Sequence, residues 1–264
     1  MNKRDRRKRS ILEHVEESGA VSVRELANRL NVTGVTIRRD LNQLSQENRL
    51  RLMHGVAISN DHGREDDEEY QVTEAERHQA AEKRAIGVAA AGLLEPDDIV
   101  IIDAGTTTEW IAQALSPDMS ITVICNSLNI VNRLSRNDNC RLIVPGGVFR
   151  KSSMMFESDT GINLIRDIRA QKAFISASGV DIRLGVTCTN MYEIGPKQAA
   201  IESSGTRILV VDSSKFGSVR VAYFAPITDF DIVITDDRIS DKHAKMVEDA
   251  GIRLIVTSAG NSKG

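Results

Sequence analysis

The chain is short of the residues that several protein classes depend on. Only three cysteines (Cys125, Cys140 and Cys188) occur in 264 residues. An odd number without Cys-x-x-Cys spacing excludes a disulfide framework and a cysteine zinc site, and points to reduced thiols in a cytoplasmic protein. Eighteen glycines and five prolines are too few for collagen-like or low-complexity sequence. No apolar run approaches the roughly 18 residues of a membrane span. The basic stretch from Met1 to Arg9 has no apolar signal core, so neither membrane nor secretion is expected. The five histidines (His14, His54, His62, His78 and His243) lack metal-ligand spacing. Gly-x-Ser-x-Gly, Walker and Gly-x-Gly-x-x-Gly patterns are missing too, as is any cysteine nucleophile signature. No catalytic residue, metal or cofactor is therefore expected.

What is present suits a folded, two-part chain. Apolar residues make up 41% and charged residues 27%, enough for one large or two modest cores. The net charge of −3 hides an asymmetry. Residues 1–58 hold 12 Lys+Arg against 7 Asp+Glu, whereas residues 59–264 hold 22 against 30. A basic head on an acidic body suits a head that meets a polyanion.

The head reads as three helices and a ribbon. Ile11, Leu12 and Val15 recur at helical spacing from Arg6 to Ser18. Ser22 and Glu25 form a capping box for a short helix burying Leu26, Ala27 and Leu30. Thr33 caps the next helix, where Ile37, Leu41 and Leu44 share one face and Thr36, Arg38, Arg39 and Asn42 point elsewhere. Arg49–Leu52 and Val56–Ile58 flank a hairpin or wing. A short helix, a turn and a helix carrying Thr and Arg are what the DNA major groove admits. The candidate DNA-binding residues are Ser22, Thr33, Thr36, Arg38, Arg39, Asn42, Arg51 and His54. The basic stretch Arg4–Arg9 is expected on phosphates.

An acidic linker spans 59–73, and 74–264 forms the second domain. It opens with a helix, Glu74–Leu94, expected to serve as an assembly surface. Strand-length apolar runs follow at Ile99–Ile102, Ile121–Cys125, Arg141–Val144, Ala173–Ser176, Ile208–Val211, Ile232–Thr235 and Arg253–Val256. They alternate with helical stretches at Thr107–Leu115, Asn129–Leu134, Tyr192–Ser203 and Asp241–Ala250. This is the pattern of a doubly wound, mostly parallel α/β sheet.

The loop Asp103-Ala104-Gly105-Thr106-Thr107-Thr108 follows a strand and opens a helix. Its glycine, amides and hydroxyls suit an oxyanion, so a phosphate is a natural guest. Asn126, Ser127, Gly146 and Gly147 also lie just past strands, the edge where open sheets bind ligands. Lys215 is a candidate counter-charge, and Lys197 either joins it or forms a solvated pair with Glu193. Asp103 suits sugar hydroxyls better than a phosphate. Cys125 reads as inert core, and Trp110 as packed on its helix.

Val21-Ser22-Val23-Arg24-Glu25-Leu26-Ala27 with Val32-Thr33-Gly34-Val35-Thr36-Ile37-Arg38-Arg39-Asp40-Leu41 resembles the helix-turn-helix signature of the DeoR family of bacterial sugar-responsive repressors. The resemblance continues through Asp103–Thr108, Asn126-Ser127-Leu128, Pro145-Gly146-Gly147 and Asp212-Ser213-Ser214-Lys215-Phe216-Gly217. It implies a winged helix-turn-helix head and a sensor similar to the ribose-5-phosphate isomerase and CoA-transferase folds. The expected partners are operator DNA and a phosphorylated sugar or polyol, bound through Asp103, Gly105, Thr106, Thr107, Thr108, Asn126, Ser127, Gly146, Gly147, Lys197 and Lys215. A dimer or tetramer is expected. Two stretches depart from the family pattern: His54-Gly55-Val56 in the wing, where many members carry a double glycine, and Met154–Ser158, where many carry a glycine. A second reading is an active sugar-phosphate isomerase using Asp103, Glu193, Lys197 and Lys215 as an acid/base set.

Overall fold

The computed structural model describes residues 3–18, 20–47, 49–53, 56–59 and 79–258, which form two compact units. Of the expected linker 59–73, Ser59 ends a strand and residues 60–73 lie outside the described residues, as do His54 and the side chain of Arg51.

In the head, α1 (Lys3–Ser18), β1 (Ala20–Ser22), α2 (Val23–Arg29), α3 (Gly34–Gln46), β2 (Leu50–Met53) and β3 (Val56–Ser59) follow in order. Strands β2 and β3 form the expected ribbon, and β1 pairs with β3 to complete a three-stranded antiparallel sheet. Capping sets both helix starts: Ser22 Oγ accepts the Glu25 amide at 3.2 Å, and Thr33 Oγ1 accepts the Thr36 amide at 3.3 Å. The turn between them passes through Asn31 at φ +48°, a conformation that Asn tolerates. Ile37, Leu41 and Leu44 are fully buried against Ile11, Val15 and Leu26.

The second unit comprises α4 (Ala80–Ala91), β4 (Ile99–Ile102), α5 (Glu109–Ala114), β5 (Ile121–Ile124), α6 (Leu128–Leu134), β6 (Cys140–Ile143), β7 (Val148–Arg150), β8 (Met155–Glu157), α7 (Asp159–Asp167), β9 (Ala170–Ser176), β10 (Gly179–Asp181), β11 (Gly185–Cys188), α8 (Ile194–Glu202), β12 (Ser204–Val210), β13 (Ala222–Ala225), β14 (Ile232–Asp236), α9 (Asp241–Asp249) and β15 (Arg253–Thr257). The seven expected strands build one parallel sheet in the order β15-β14-β12-β9-β4-β5-β6. Side chains alternate along them. Val100 and Ile102 face a core with Ile86, Ile111 and Ile130 of α4, α5 and α6. Ile101 and Leu209 face another with Ile165, Ala199 and Val247 of α7, α8 and α9. Helices therefore cover both faces, as a doubly wound sheet requires. Strand order reverses between β4 and β9, which makes their carboxyl ends the switch point.

Several boundaries move. Of the expected 74–94 helix, residues 74–78 lie outside the described residues; Gln79 sits at φ +55°, and the helix runs from Ala80 to Ala91 and not on to Leu94. The 107–115 helix starts at Glu109, because Gly105–Thr107 form a turn. Tyr192–Ser203 divides into a 3-10 turn, Met191–Glu193, and α8. Strands β9 and β12 start three and four residues earlier than their apolar runs. Their polar first residues, such as Gln171 and Thr206, hide the extended backbone from an apolar count. Four features were not anticipated: β1 in the head, α7, the β7–β8 hairpin, and a small antiparallel sheet, β10-β11-β13. These strands of three or four residues are too short for a period to show. Trp110 packs as expected: a Cβ on Gly87 would lie 2.3 Å from the Trp110 Cβ, so the glycine lets α4 and α5 approach closely.

Candidate functional site

In the head, α3 turns its apolar side inward and leaves Arg38, Arg39 and Asn42 exposed. Ser22 and Thr33 act differently from their neighbours, since their hydroxyls cap helices; Thr36 also engages Thr33, with the two hydroxyls 2.9 Å apart. The basic stretch is largely occupied within the head, against the expectation of phosphate contacts. Arg4 and Arg7 both donate to Asp40, at 3.3 and 2.5 Å, and Lys8 pairs with Glu47 at 3.0 Å. Asp40 is buried at 1% exposure, so this clamp ties α1 to the middle of α3. Arg6 and Arg9 stay exposed and unpaired among the described residues.

In the second unit the switch point holds a buried polar network. Asp103, just past β4, accepts on Oδ2 from the Ser176 amide (3.1 Å), the Ser176 hydroxyl (2.9 Å) and Lys197 Nζ (2.5 Å). Lys197 also donates to the Ser176 carbonyl at 3.0 Å and lies 3.8 Å from Glu193, which accepts from Asn190 Nδ2 at 2.8 Å. Phe224 closes one side, its ring centroid 5.4 Å from Nζ. Lys197 is only 2% exposed, so the solvated Lys197–Glu193 pair expected from spacing is instead a buried one with a second carboxylate. Burial alone would lower the Lys197 ammonium; the facing Asp103 and Glu193 charges outweigh it and raise it above its usual range. Burial pushes the Glu193 carboxyl up, against the opposing pull of Lys197.

The threonine loop sits on this network. A Cβ on Gly105 would lie 2.3 Å from Ser176 Oγ, so the residue must be glycine for the loop to seat there. The Thr108 hydroxyl donates to the Asp103 and Gly105 carbonyls at 2.7 and 2.9 Å and shapes the turn. The Thr106 and Thr107 hydroxyls have no partner among the described residues. The backbone amides of residues 104 to 108 likewise meet no acceptor among them. Five neighbouring N–H groups without acceptors make a concentrated positive potential.

Asn126 and Ser127 are held by the β7–β8 hairpin. Asn126 donates to the Phe156 carbonyl (3.0 Å) and accepts its amide (2.8 Å), while the Leu128 amide donates to Met154 (2.7 Å). Met154 occupies φ +51°, within the stretch where the family pattern carries glycine. Ser127 reaches Asn129, which donates to Glu109 at 2.5 Å. Gly147, at φ +139°, hinges the hairpin; a Cβ there would lie 2.3 Å from the Glu157 carbonyl oxygen. Lys215 is half-buried on a 3-10 turn after β12 and is paired with no carboxylate among the described residues. Asp103, Gly105, Thr108 and Lys197 thus meet in one network, Asn126 and Ser127 in a neighbouring one. Ser176 was not foreseen; its signal was its place at the end of the strand beside β4. Cys125 is fully buried and its thiol is pushed up to about 12, mainly by burial, as inert core requires.

Residues 7–63 match the DeoR-like helix-turn-helix domain and residues 78–237 the DeoR C terminal sensor domain. The chain belongs to the DeoR family. It is a DNA-binding transcriptional regulator with a C-terminal sensor. Its DeoR-family relatives include an uncharacterized HTH-type transcriptional regulator, YgbI, of Escherichia coli K12, 34% identical over 95% of this chain and 96% of that one. The deoxyribose operon repressor of the same strain is 32% identical over 96% and 98%. Among solved structures, ribose 5 phosphate isomerase A from Neisseria gonorrhoeae is a distant likeness: 16% identity, 52% of this chain, 53% of that one and a TM-score of 0.39. Among the described residues no helix is long and apolar enough to cross a membrane, and no cluster of His, Cys, Asp or Glu could hold a metal.

Proposed function

We propose that this DeoR-family regulator is a cytoplasmic repressor of a carbohydrate or polyol catabolic operon, released or recruited by a phosphorylated sugar or polyol. The observation that carries this reading is the run of five amides without acceptors beside the buried Asp103–Lys197 pair, at the switch point of the sheet. The amides of residues 104–108 and the Thr106 and Thr107 hydroxyls hold the phosphate, and Asp103 faces the sugar hydroxyls. Asn126, Ser127, Gly146 and Gly147 form the neighbouring wall, and Lys215 supplies counter-charge. A dimer or tetramer sets two heads on paired half-sites, and the ligand acts by preferring one arrangement of the sensor.

The convergence of Asp103, Glu193 and Lys197 also fits the isomerase reading, but binding without turnover is favoured. The three Nζ protons of Lys197 face the Asp103 carboxylate and the Ser176 carbonyl and hydroxyl, so it is a fixed cation and not a free base. The test is a thermal-shift screen of the full chain against phosphorylated sugars and polyols, with their unphosphorylated forms alongside. A ligand at 100 times its Kd stabilises by roughly 2.7 kcal/mol. The phosphorylated form alone should shift the melting temperature and change affinity for DNA. Equal shifts from the unphosphorylated forms, or steady turnover of a pentose phosphate, would overturn the proposal.

A further inference from the structure

Val35 has no role inside the head that accounts for it. At 74% exposure it is the most exposed large hydrophobic residue among those described. A single exposed valine is ordinary on a protein surface, but this one is the second residue of α3, in the turn that a helix-turn-helix places nearest to base edges. A β-branched residue is a poor helix former and gains nothing by packing there. Its surroundings on that face are polar: it lines, with Arg4, Arg38, Arg39, Asn42 and Gln46, a concavity of about 490 Å³. The preceding Gly34 is equally unexplained from within, because a Cβ there would meet only Val23 Cγ1 at an ordinary 3.6 Å. A residue without a side chain lets the start of the helix come close to a partner.

An apolar tip flanked by guanidinium and amide donors matches one feature of the major groove. The 5-methyl of thymine is the apolar group that the base edges present there, beside the acceptors and donors of neighbouring bases. We infer that Val35 is a specificity-determining residue of operator recognition, packing on a thymine 5-methyl next to a base read by the arginines of the same face. The inference rests on α3 being the reading helix.

The test begins by selecting sites from a pool of random duplexes with the full chain. Each thymine of the enriched site is then replaced by deoxyuridine, which removes only the 5-methyl group. Affinity is measured by fluorescence anisotropy at one fixed salt concentration, since phosphate contacts make binding salt-dependent. One thymine in each half-site should be sensitive, with binding weakened roughly fourfold, the value of one apolar carbon taken from water. Val35→Ala should retain less than half of that deoxyuridine penalty. An enriched site with no methyl-sensitive thymine overturns the inference, as does a Val35→Ala chain that keeps half of the penalty or more. Failure to enrich any site would instead overturn α3 as the reader. The deoxyuridine series uses the unaltered chain, so an enriched site without a methyl-sensitive thymine overturns the inference even if the variant does not fold.

Discussion

Each unit of the chain buries a carboxylate against lysine or arginine, and the two pairs serve opposite ends. In the head, Asp40 is held by Arg4 and Arg7, whose side chains are 43% and 21% exposed. In the sensor, Asp103 is held by Lys197, itself 2% exposed, with Glu193 behind it. The head's cations remain partly hydrated, so their clamp fastens two helices and leaves Arg38 and Arg39 free for a partner. The sensor's cation has left water altogether, so its charge is compensated only by protein groups. What separates the two pairs is the solvent access of the cation, more than the carboxylate it meets.

The largest effect should come from breaking the sensor pair. Lys197→Ala leaves Asp103 buried without its cation and should cost about 3–5 kcal/mol. Trp110, the single tryptophan, lies in the sensor, so urea unfolding followed by its fluorescence reads this loss directly. Arg166→Ala, which removes an exposed pair with Glu202, should stay within about 0.5 kcal/mol by the same measurement. Equal losses for the two would break the comparison.

Removing the head carboxylate should cost less, because the stranded arginines can return to water. For Asp40→Ala about 1–3 kcal/mol is expected. It should appear as earlier loss of far-ultraviolet circular dichroism with the Trp110 transition in place, together with weaker DNA binding as α3 loosens. A shift of the Trp110 transition would show that the clamp's influence is not confined to the head.

The smallest effect sharpens the sensor side. Burial holds the Glu193 carboxyl above its ordinary value in the folded chain. A raised carboxyl favours folding while both states are protonated, and that contribution is lost as pH rises from the unfolded value through the folded one. Glu193→Gln should therefore gain stability relative to the parent across that window, by at most about 1.4 kcal/mol for each pH unit of separation between the two values. A difference between the two chains that does not change with pH would mean that Lys197 cancels the burial of Glu193.

Much of this was legible because it depends on neighbours in the chain. The helix caps Ser22 and Thr33 act within three residues, and the apolar face Ile37, Leu41 and Leu44 follows from helical period alone. The seven parallel strands were visible as Val/Ile runs, which are unbroken where both faces are buried, as in β4 and β14, and are interrupted by Arg141 and Arg253 in the half-exposed edge strands β6 and β15. The loop Gly105–Thr108 carried its own signal in composition. By contrast, the β7–β8 hairpin and the small sheet β10-β11-β13 could not be seen in strands of three or four residues.

By itself, then, the sequence determined local matters: the helix caps of the head, the apolar faces of its helices, the Val/Ile runs of the main sheet, and that a basic head precedes an acidic body. The tertiary structure alone decided pairings across distance. Spacing offered Lys197 to Glu193, one helical turn away; the sheet brought in Asp103, 94 residues distant, and sealed the three from water. Charge count offered Arg4, Arg7 and Lys8 to a phosphate backbone; folding turned them onto Asp40 and Glu47. A charge carries no mark of its partner in the sequence. Its role depends on distance and solvent access, and both exist only once the chain has folded.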